Sequence, residues 1–237
     1  MAQLVDFSQI FIGSYMTASK FATVDMDVIR PAVLNTLRMY RTKFVSEFGE
    51  LILCCDDRKT WRKDIFPNYK ASRKKTRAAT SIDWDNLYES LNALKEELVE
   101  WFPYKLVQVE KAEADDIIAV LVELINERSL ILSSDKDFVQ LHKFNVRQYS
   151  PMQKKFVEGD AKWNLHEKII KGDVGDGVPN IMSDDNVFID EGRRQKPITK
   201  KKVDAWYELD PDMYCSSEML RNYNRNKQLV DLGEVPE

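Results

Sequence analysis

Histidine and cysteine are scarce in this 237-residue chain: there are two histidines, His142 and His166, and three cysteines, two of them adjacent at Cys54 and Cys55. Two histidines are too few for a histidine-based metal site. An adjacent cysteine pair inside an apolar run has the spacing of neither a zinc site nor a disulfide framework. This cysteine usage fits a reducing, intracellular compartment, so a cytoplasmic location is expected. Long hydrophobic runs are missing as well. No stretch approaches the roughly 18 apolar residues that would cross a bilayer. The N-terminal MAQLVDFSQIFIG lacks the basic segment and cleavage site of a secretory signal. No membrane partner is expected, and neither internal repeats nor low-complexity tracts occur.

What is present is an ordinary globular composition, 43% hydrophobic and 31% charged, enough for one large domain or one domain with an appendage. The net charge of −4 hides an uneven distribution. From Arg58 to Arg77 (RKTWRKDIFPNYKASRKKTR) nine lysines and arginines stand against one acid, Asp64. Such a block is either a solvated face or a nucleic-acid contact. Trp61, Phe66 and Tyr69 are interleaved with the charges, which favours nucleic acid, because bases stack on aromatics while phosphates meet cations. The candidate contacts are Arg58, Lys59, Arg62, Lys63, Tyr69, Lys70, Arg73, Lys74, Lys75 and Arg77.

Apolar patterning predicts an α/β fold. QLVDF (3–7), ELILCC (50–55), YKLVQV (104–109) and SLILSS (129–134) read as strands, and NVRQYS (145–150) with KKFVEG (154–159) adds edge strands or a hairpin. Residues 27–47 carry Val33, Leu37, Tyr40 and Phe44 at helical spacing, with Pro31 best placed in the first turn. Residues 83–102 form an amphipathic helix along Leu87, Leu91, Leu94, Leu98 and Trp101, closed by Pro103. Residues 113–127 are apolar nearly all round and predict a largely buried helix. Strands alternating with helices imply a mostly parallel central sheet flanked by helices. Beyond residue 160 the pattern turns helical and irregular. The expected division is an α/β core over 1–160, including the basic segment at about 58–82, and a helical C-terminal part over 161–237.

Acids gather where such a sheet binds ligands, beyond the carboxyl ends of its strands. Asp6 ends the first strand, Asp56 follows the second, and Asp135 with Asp137 follows the fourth. Glu113, Asp115 and Asp116 open the helix after the third, and KGDVGDG (171–177) adds Asp173 and Asp176. Any one of these could be a turn residue, a cap or a partner of the helix dipole. Together they would repel one another unless cations were present. Oxygen ligands without histidine or cysteine select Mg²⁺, with Mn²⁺ as the alternative ion. So many acids exceed what one Mg²⁺ takes, so two ions are expected, the arrangement used for phosphodiester cleavage.

LVDFSQI, LILCCDD, WRKDIFPNYKASRKKTR, EADDIIAVLV, LSSDKDFVQLHK, YSPMQKKFV and IIKGDVGDGVPNI occur in an order that resembles the 5′→3′ nuclease (flap endonuclease) superfamily, and within it the phage RNase H branch. The likeness covers almost the whole chain. It implies a PIN-like core with a basic helical arch. It places Asp6, Asp56, Glu113, Asp115, Asp116 and Asp135 near a first metal, and Asp137, Asp173 and Asp176 near a second. Whether Asp115, Asp116 or both bind directly stays open. By the same likeness Lys70 and Arg73 are catalytic, holding the scissile phosphate, while Tyr69 stacks on a base near the cut. Many members follow GDxxDN with a helix-hairpin-helix that grips duplex DNA. Here a polar insert interrupts that hairpin, and Lys200, Lys201 and Lys202 are its candidate duplex contacts.

The implied activity is a Mg²⁺-dependent 5′→3′ exonuclease and flap endonuclease, removing RNA primers and 5′-ended DNA during phage replication in the host-cell cytoplasm. DNA and RNA–DNA hybrids with free 5′ ends or flaps are the expected substrates of a monomer. The resemblance suggests a single-stranded DNA-binding protein and a sliding clamp as partners. A PIN-like endoribonuclease and a non-catalytic, structure-specific DNA-binding module are the rivals. The first usually lacks both the basic block and GDxxDG; the second gains nothing from acids concentrated near phosphate.

Overall fold

The computed structural model describes residues 1–20 and 24–236. In chain order the first elements are β1 (Gln3–Asp6), α1 (Phe7–Ala18), α2 (Met26–Phe48), β2 (Leu51–Cys55), α3 (Arg62–Ile65), α4 (Arg73–Ala78) and α5 (Trp84–Trp101). Next come β3 (Lys105–Gln108), α6 (Ala114–Ile125), β4 (Ser129–Leu132), a 3₁₀ helix (Lys136–Lys143), β5 (Val146–Ser150) and β6 (Lys155–Val157). The chain then runs through α7 (Ala161–Lys171), α8 (Lys200–Trp206), a short 3₁₀ turn (Pro211–Met213) and α9 (Ser217–Val230).

The strands form one sheet in the order β3-β2-β1-β4-β5-β6. Every neighbouring pair is parallel except the β5–β6 hairpin. The chain steps outward from β1 to β3 and then returns to β4 on the other flank of β1, so the winding direction reverses there. A parallel α/β sheet opens its ligand crevice at such a reversal. Every residue of β1 and β4 is buried, which is why Leu4–Val5 and Leu130–Leu132 run apolar without alternating with polar residues.

Two compact units are present. The first comprises Met1–Lys59 and Ile82–Gly159 and contains the sheet. Its core joins Val5, Phe7, Phe11 and Leu132 to the inward stripes of α2 and α5. In α2 that stripe is Ile29, Val33, Leu37, Tyr40, Phe44 and Phe48. Asp25 caps the helix by accepting the Val28 N–H at 3.0 Å, so helix begins at Met26 and Pro31 is its sixth residue rather than part of the first turn. In α5, Leu87, Leu91, Leu94 and Leu98 are buried as the spacing predicts, but Trp101 is 72% exposed. It is the last helical residue and lies past the point where the core still covers the helix. The α6 helix is less buried than its composition suggests. Val120 and Leu124 are 42% and 74% exposed, because the sheet covers only the face bearing Ile117, Ile118 and Val122.

The second unit comprises Thr60–Ser81 and the chain from Asp160 onward. The break at Gly159/Asp160 falls where the sequence pattern changes. The basic segment, however, groups with the C-terminal part and not with the sheet-containing core. Its aromatic residues decide this: Phe66 and Tyr69 pack with Ile169, Val178, Leu229 and Val230. A second cluster of Ile170, Ile181 and Val203 fills the rest of the unit. No described helix is long and apolar enough to cross a membrane, and all three cysteines are free.

Candidate active site

In the first unit the acids are fixed by the backbone around them. Asp6 caps α1: Oδ1 accepts the Gln9 N–H at 3.0 Å and Oδ2 accepts the Ser133 hydroxyl at 3.1 Å. Asp56 Oδ1 accepts the Ala114 N–H at 2.9 Å, tying the end of β2 to the first turn of α6. Glu113 and Asp116 form a reciprocal capping box at that turn, with Asp116 Oδ2 accepting the Glu113 N–H at 2.9 Å. Asp116 is 1% exposed, whereas Asp115 is half-buried. The neighbour Asp57 turns elsewhere, accepting the Lys111 N–H at 2.9 Å and Gln108 Nε2 at 3.2 Å.

After β4 the chain turns on Ser133. The Asp135 N–H donates to Ser133 Oγ at 3.1 Å, and Asp135 Oδ1 caps the 3₁₀ helix by accepting the Asp137 N–H at 3.0 Å. Asp135 is exposed and Asp137 half-buried. The loop is braced from below by Gln148 of β5, fully buried, whose Nε2 donates to the Ser133 carbonyl at 3.0 Å and the Asp135 carbonyl at 2.5 Å. Gln148 Oε1 meets His142 Nε2 at 3.2 Å. Sequence reasoning passed over Gln148. Its only signal was an amide between the polar and apolar residues of an edge-strand segment, a weak one until the structure shows it buried, where an amide must find partners.

Electrostatics set Asp6 apart. Burial drives its pKa up, the charge of Asp56 adds to this, the Gln9 and Ser133 hydrogen bonds oppose it, and Asp135 raises it further; the result is a carboxyl titrating at about 7. The charged groups acting on it are two more carboxylates, with no cation among them. Nearby thiols respond in the same way: burial pushes Cys55 up to about 12 and Cys54 higher still. Among the described residues no three acids, histidines or cysteines already enclose an ion-sized space. The donor set itself, carboxylate oxygens without histidine or thiolate, fits a hard divalent cation that keeps several of its own waters.

The second unit holds the other predicted group. Gly172, at φ +66°, turns the chain out of α7 into GDVGDG. The loop closes on itself, with the Asp173 N–H donating to the Val178 carbonyl at 2.8 Å and the Val178 N–H returning to Asp173 at 2.7 Å. Asp173 Oδ2 pairs with Lys168 Nζ at 2.7 Å. Burial raises the Asp173 pKa, but the Lys168 charge and hydrogen bond, with the Asp176 and Gly175 N–H groups, outweigh it and hold the carboxyl below its ordinary value. Asp176 is gripped by the basic segment. Arg73 Nη2 lies 2.6 Å from Oδ1, the Tyr69 hydroxyl donates to Oδ2 at 2.8 Å, Lys70 Nζ is 3.8 Å away, and the Lys70 N–H donates to the Asp176 carbonyl at 2.7 Å. Lys70 itself sits at φ 57°, a left-handed conformation that a non-glycine residue adopts at a cost.

Two candidate nucleic-acid contacts lie inside the protein. Arg62 is 3% exposed and its Nε donates to the Leu229 carbonyl at 2.8 Å. Tyr69 is also 3% exposed, so its ring is a core element here and its hydroxyl a partner of Asp176. Arg58, Lys59, Lys63, Lys74 and Lys75 are exposed, and Arg77 is half-buried. Lys200, Lys201 and Lys202 are exposed in the first turn of α8, which Thr199 caps. The chain around Ile169, Pro179 and Ile181 is held by α9. Asn226 Nδ2 donates to the carbonyls of Ile169 and Pro179, both at 2.8 Å, and Asn222 Nδ2 to that of Ile181 at 3.0 Å. Arg225 Nη2 also reaches Pro179 O, at 3.1 Å. Sequence reasoning missed these three. Their signal was a polar stripe at 222, 225 and 226, the helical spacing ordinarily reserved for a core face.

Comparison with known proteins agrees with this architecture. The family model described as "5'-3' exonuclease, N-terminal resolvase-like domain" matches residues 1–169. The Ribonuclease H of Enterobacteria phage T4 is 34% identical over 253 aligned residues, covering 99% of this chain and 82% of that protein. A flap endonuclease Xni of Psychromonas ingrahamii is 32% identical over 113 residues, 46% of this chain and 39% of its own length. Among solved structures, the bacteriophage T5 flap endonuclease in a pseudo-enzyme–product complex with DNA and metal ions has the same fold, with a TM-score of 0.74 at 19% identity over 98% of this chain and 89% of that one. The chain thus belongs to the 5′–3′ exonuclease family, and it is a nuclease of the exonuclease and flap endonuclease kind.

Proposed function

We propose that the chain is a Mg²⁺-dependent 5′→3′ exonuclease and flap endonuclease, with Mn²⁺ able to replace Mg²⁺, that clears RNA from RNA–DNA hybrids and 5′-ended DNA from duplexes during phage DNA replication. The observation that carries this reading is Asp6. It is held at the carboxyl end of a parallel sheet beside Asp56 and Asp135, with its proton affinity raised by burial first and then by their charge. The names of the relatives point the same way: the phage T4 protein is a Ribonuclease H, and the phage T5 flap endonuclease was solved with DNA and metal ions.

On this reading Asp6, Asp56, Glu113, Asp115, Asp116 and Asp135 serve one divalent ion, directly or through water. Asp173 and Asp176 serve a second. Bound divalent ions supply a water acidified toward neutrality and positive charge against the phosphate. Lys70 and Arg73 hold the scissile phosphate, and to do so they exchange their pairing with Asp176 for a pairing with the substrate. Lys200, Lys201 and Lys202 grip duplex phosphates. Their position supports this, because cations in a helix's first turn oppose its dipole and bring no stability of their own. A monomer acting with a single-stranded DNA-binding protein and a sliding clamp completes the proposal.

The test uses a 5′-flap DNA and an RNA–DNA hybrid, each with Mg²⁺ or EDTA, and compares wild type with Asp135→Asn. Asparagine can still cap the 3₁₀ helix, so the variant should fold. Short 5′ products that need Mg²⁺ and vanish in the variant, with DNA binding retained, are expected. Unchanged turnover by the variant would remove Asp135 from the mechanism.

A further inference from the structure

The turn between β5 and β6 carries Met152, 80% exposed and the most exposed large apolar side chain among the described residues. Single exposed hydrophobes are common and need no explanation. Two features separate this one from that background. Its backbone is braced to the acid loop: the Met152 N–H donates to Ser134 Oγ at 3.2 Å, Ser134 Oγ and Ser150 Oγ share a hydrogen bond at 2.8 Å, and the Gln153 N–H donates to Ser150 Oγ at 3.1 Å. Ser134 directly precedes Asp135. Because β5 runs parallel to β4, the turn stands at the same edge of the sheet as Asp6 and Asp135. The second feature is charge. Lys154, at φ 54°, folds the chain back, and it and Lys155 are exposed beside the methionine.

We infer that this turn is a nucleotide-contacting element: Met152 packs on the apolar face of a base, or on its sugar, next to the bond that is cut, while Lys154 and Lys155 meet the adjoining phosphates. The inference rests on the nuclease reading above and adds a contact to it. A thioether on a flexible, unbranched chain suits such a role, since it fits irregular apolar surfaces without demanding one shape. Every base offers an apolar face, so the contact carries affinity without sequence preference. The serine brace holds the contact at a fixed distance from the carboxylates, which a free loop tip would not do.

The full chain carrying ¹³C-methyl methionine tests this by NMR with a 5′-flap DNA in EDTA, the Met152 signal being assigned by its loss in Met152→Leu. The Met152 methyl should shift on adding DNA, while that of Met39, 52% exposed on α2, stays in place. Met152→Ala should weaken flap binding about 5-fold or more with no change in melting temperature, and Met152→Leu should bind as wild type does. A Met152 signal that does not move while a gel shift shows the wild type bound, or an alanine variant that binds as tightly, would overturn the inference and leave the nuclease reading standing. A wild type that neither binds nor cuts the flap would remove both.

Discussion

The Tyr69 hydroxyl donates to Asp176 Oδ2 at 2.8 Å while Arg73 occupies the other oxygen at 2.6 Å. The carboxylate is therefore oriented from both sides by one short basic segment. Tyr69→Phe keeps the ring and removes only the donor. A hydrogen bond to a charged group contributes about 1.5–3 kcal/mol, so melting temperature should fall, and flap cleavage should drop roughly tenfold with affinity little changed. Thermal melts and steady-state cleavage measure the two. A ring that acted only by stacking on a base would leave Tyr69→Phe at wild-type turnover.

Asp6 makes stability depend on pH in a direction opposite to that of most carboxylates. Its pKa in the fold, about 7, lies above the ordinary 3.8, so the folded state holds this proton more tightly than the unfolded chain does. That contribution is full at pH below about 4 and is lost as pH climbs through about 7. In EDTA, Asp6→Asn should therefore lie increasingly above wild type in melting temperature as pH goes from 5 to 8. Asparagine keeps the cap on α1. Parallel curves for the two proteins would show that burial and the charges of Asp56 and Asp135 do not raise the Asp6 pKa. Mg²⁺ should close the gap at pH 8 by stabilising the wild type.

Asp6, Asp56 and Asp135 were legible because a buried strand is a continuous apolar run, and an acid at its end has one place to be. The helices were legible for the same reason: the stripe of α5 runs Leu87, Leu91, Leu94, Leu98 in the chain as in the fold. What pairs with what was not legible. Tyr69 and Arg62 read as surface residues because their neighbours are lysines and arginines. Their burial depends on Leu229 and Val178, more than 100 residues away in sequence. The allegiance of the basic segment to the C-terminal unit follows from the same distant contacts. Pro31 was misplaced by one turn because Asp25, not the proline, sets where α2 begins.

Gln148 should matter more than its anonymity in the sequence suggests. Replacing it with leucine keeps the volume but leaves the carbonyls of Ser133 and Asp135 without the donor they share. An unsatisfied buried acceptor costs about 1–3 kcal/mol, and the loop would relax to recover some of it. Gln148→Leu is expected to melt lower and to need several-fold more Mg²⁺ for half-maximal cleavage. A lower melting point with an unchanged Mg²⁺ requirement would confine the residue to stability.

Gly172 can be replaced by no other residue without moving the loop that carries Asp173 and Asp176. At φ +66°, a Cβ there would lie 2.2 Å from the Val178 carbonyl oxygen and 2.6 Å from that of Pro179. Both neighbours are backbone and cannot rotate aside. Gly192 is the internal control, at φ +78° with nothing within 4 Å of its would-be Cβ. Gly192→Ala meets only the left-handed strain of about 1–2 kcal/mol. Gly172→Ala meets that strain and the clash, so it should lose clearly more stability. It should also lose cleavage, because the Asp173–Val178 pairing must open to admit the methyl group. Melting temperature and flap cleavage of the two variants, side by side, test this. Equal losses would mean that the close approach to Val178 is not what requires glycine at this turn.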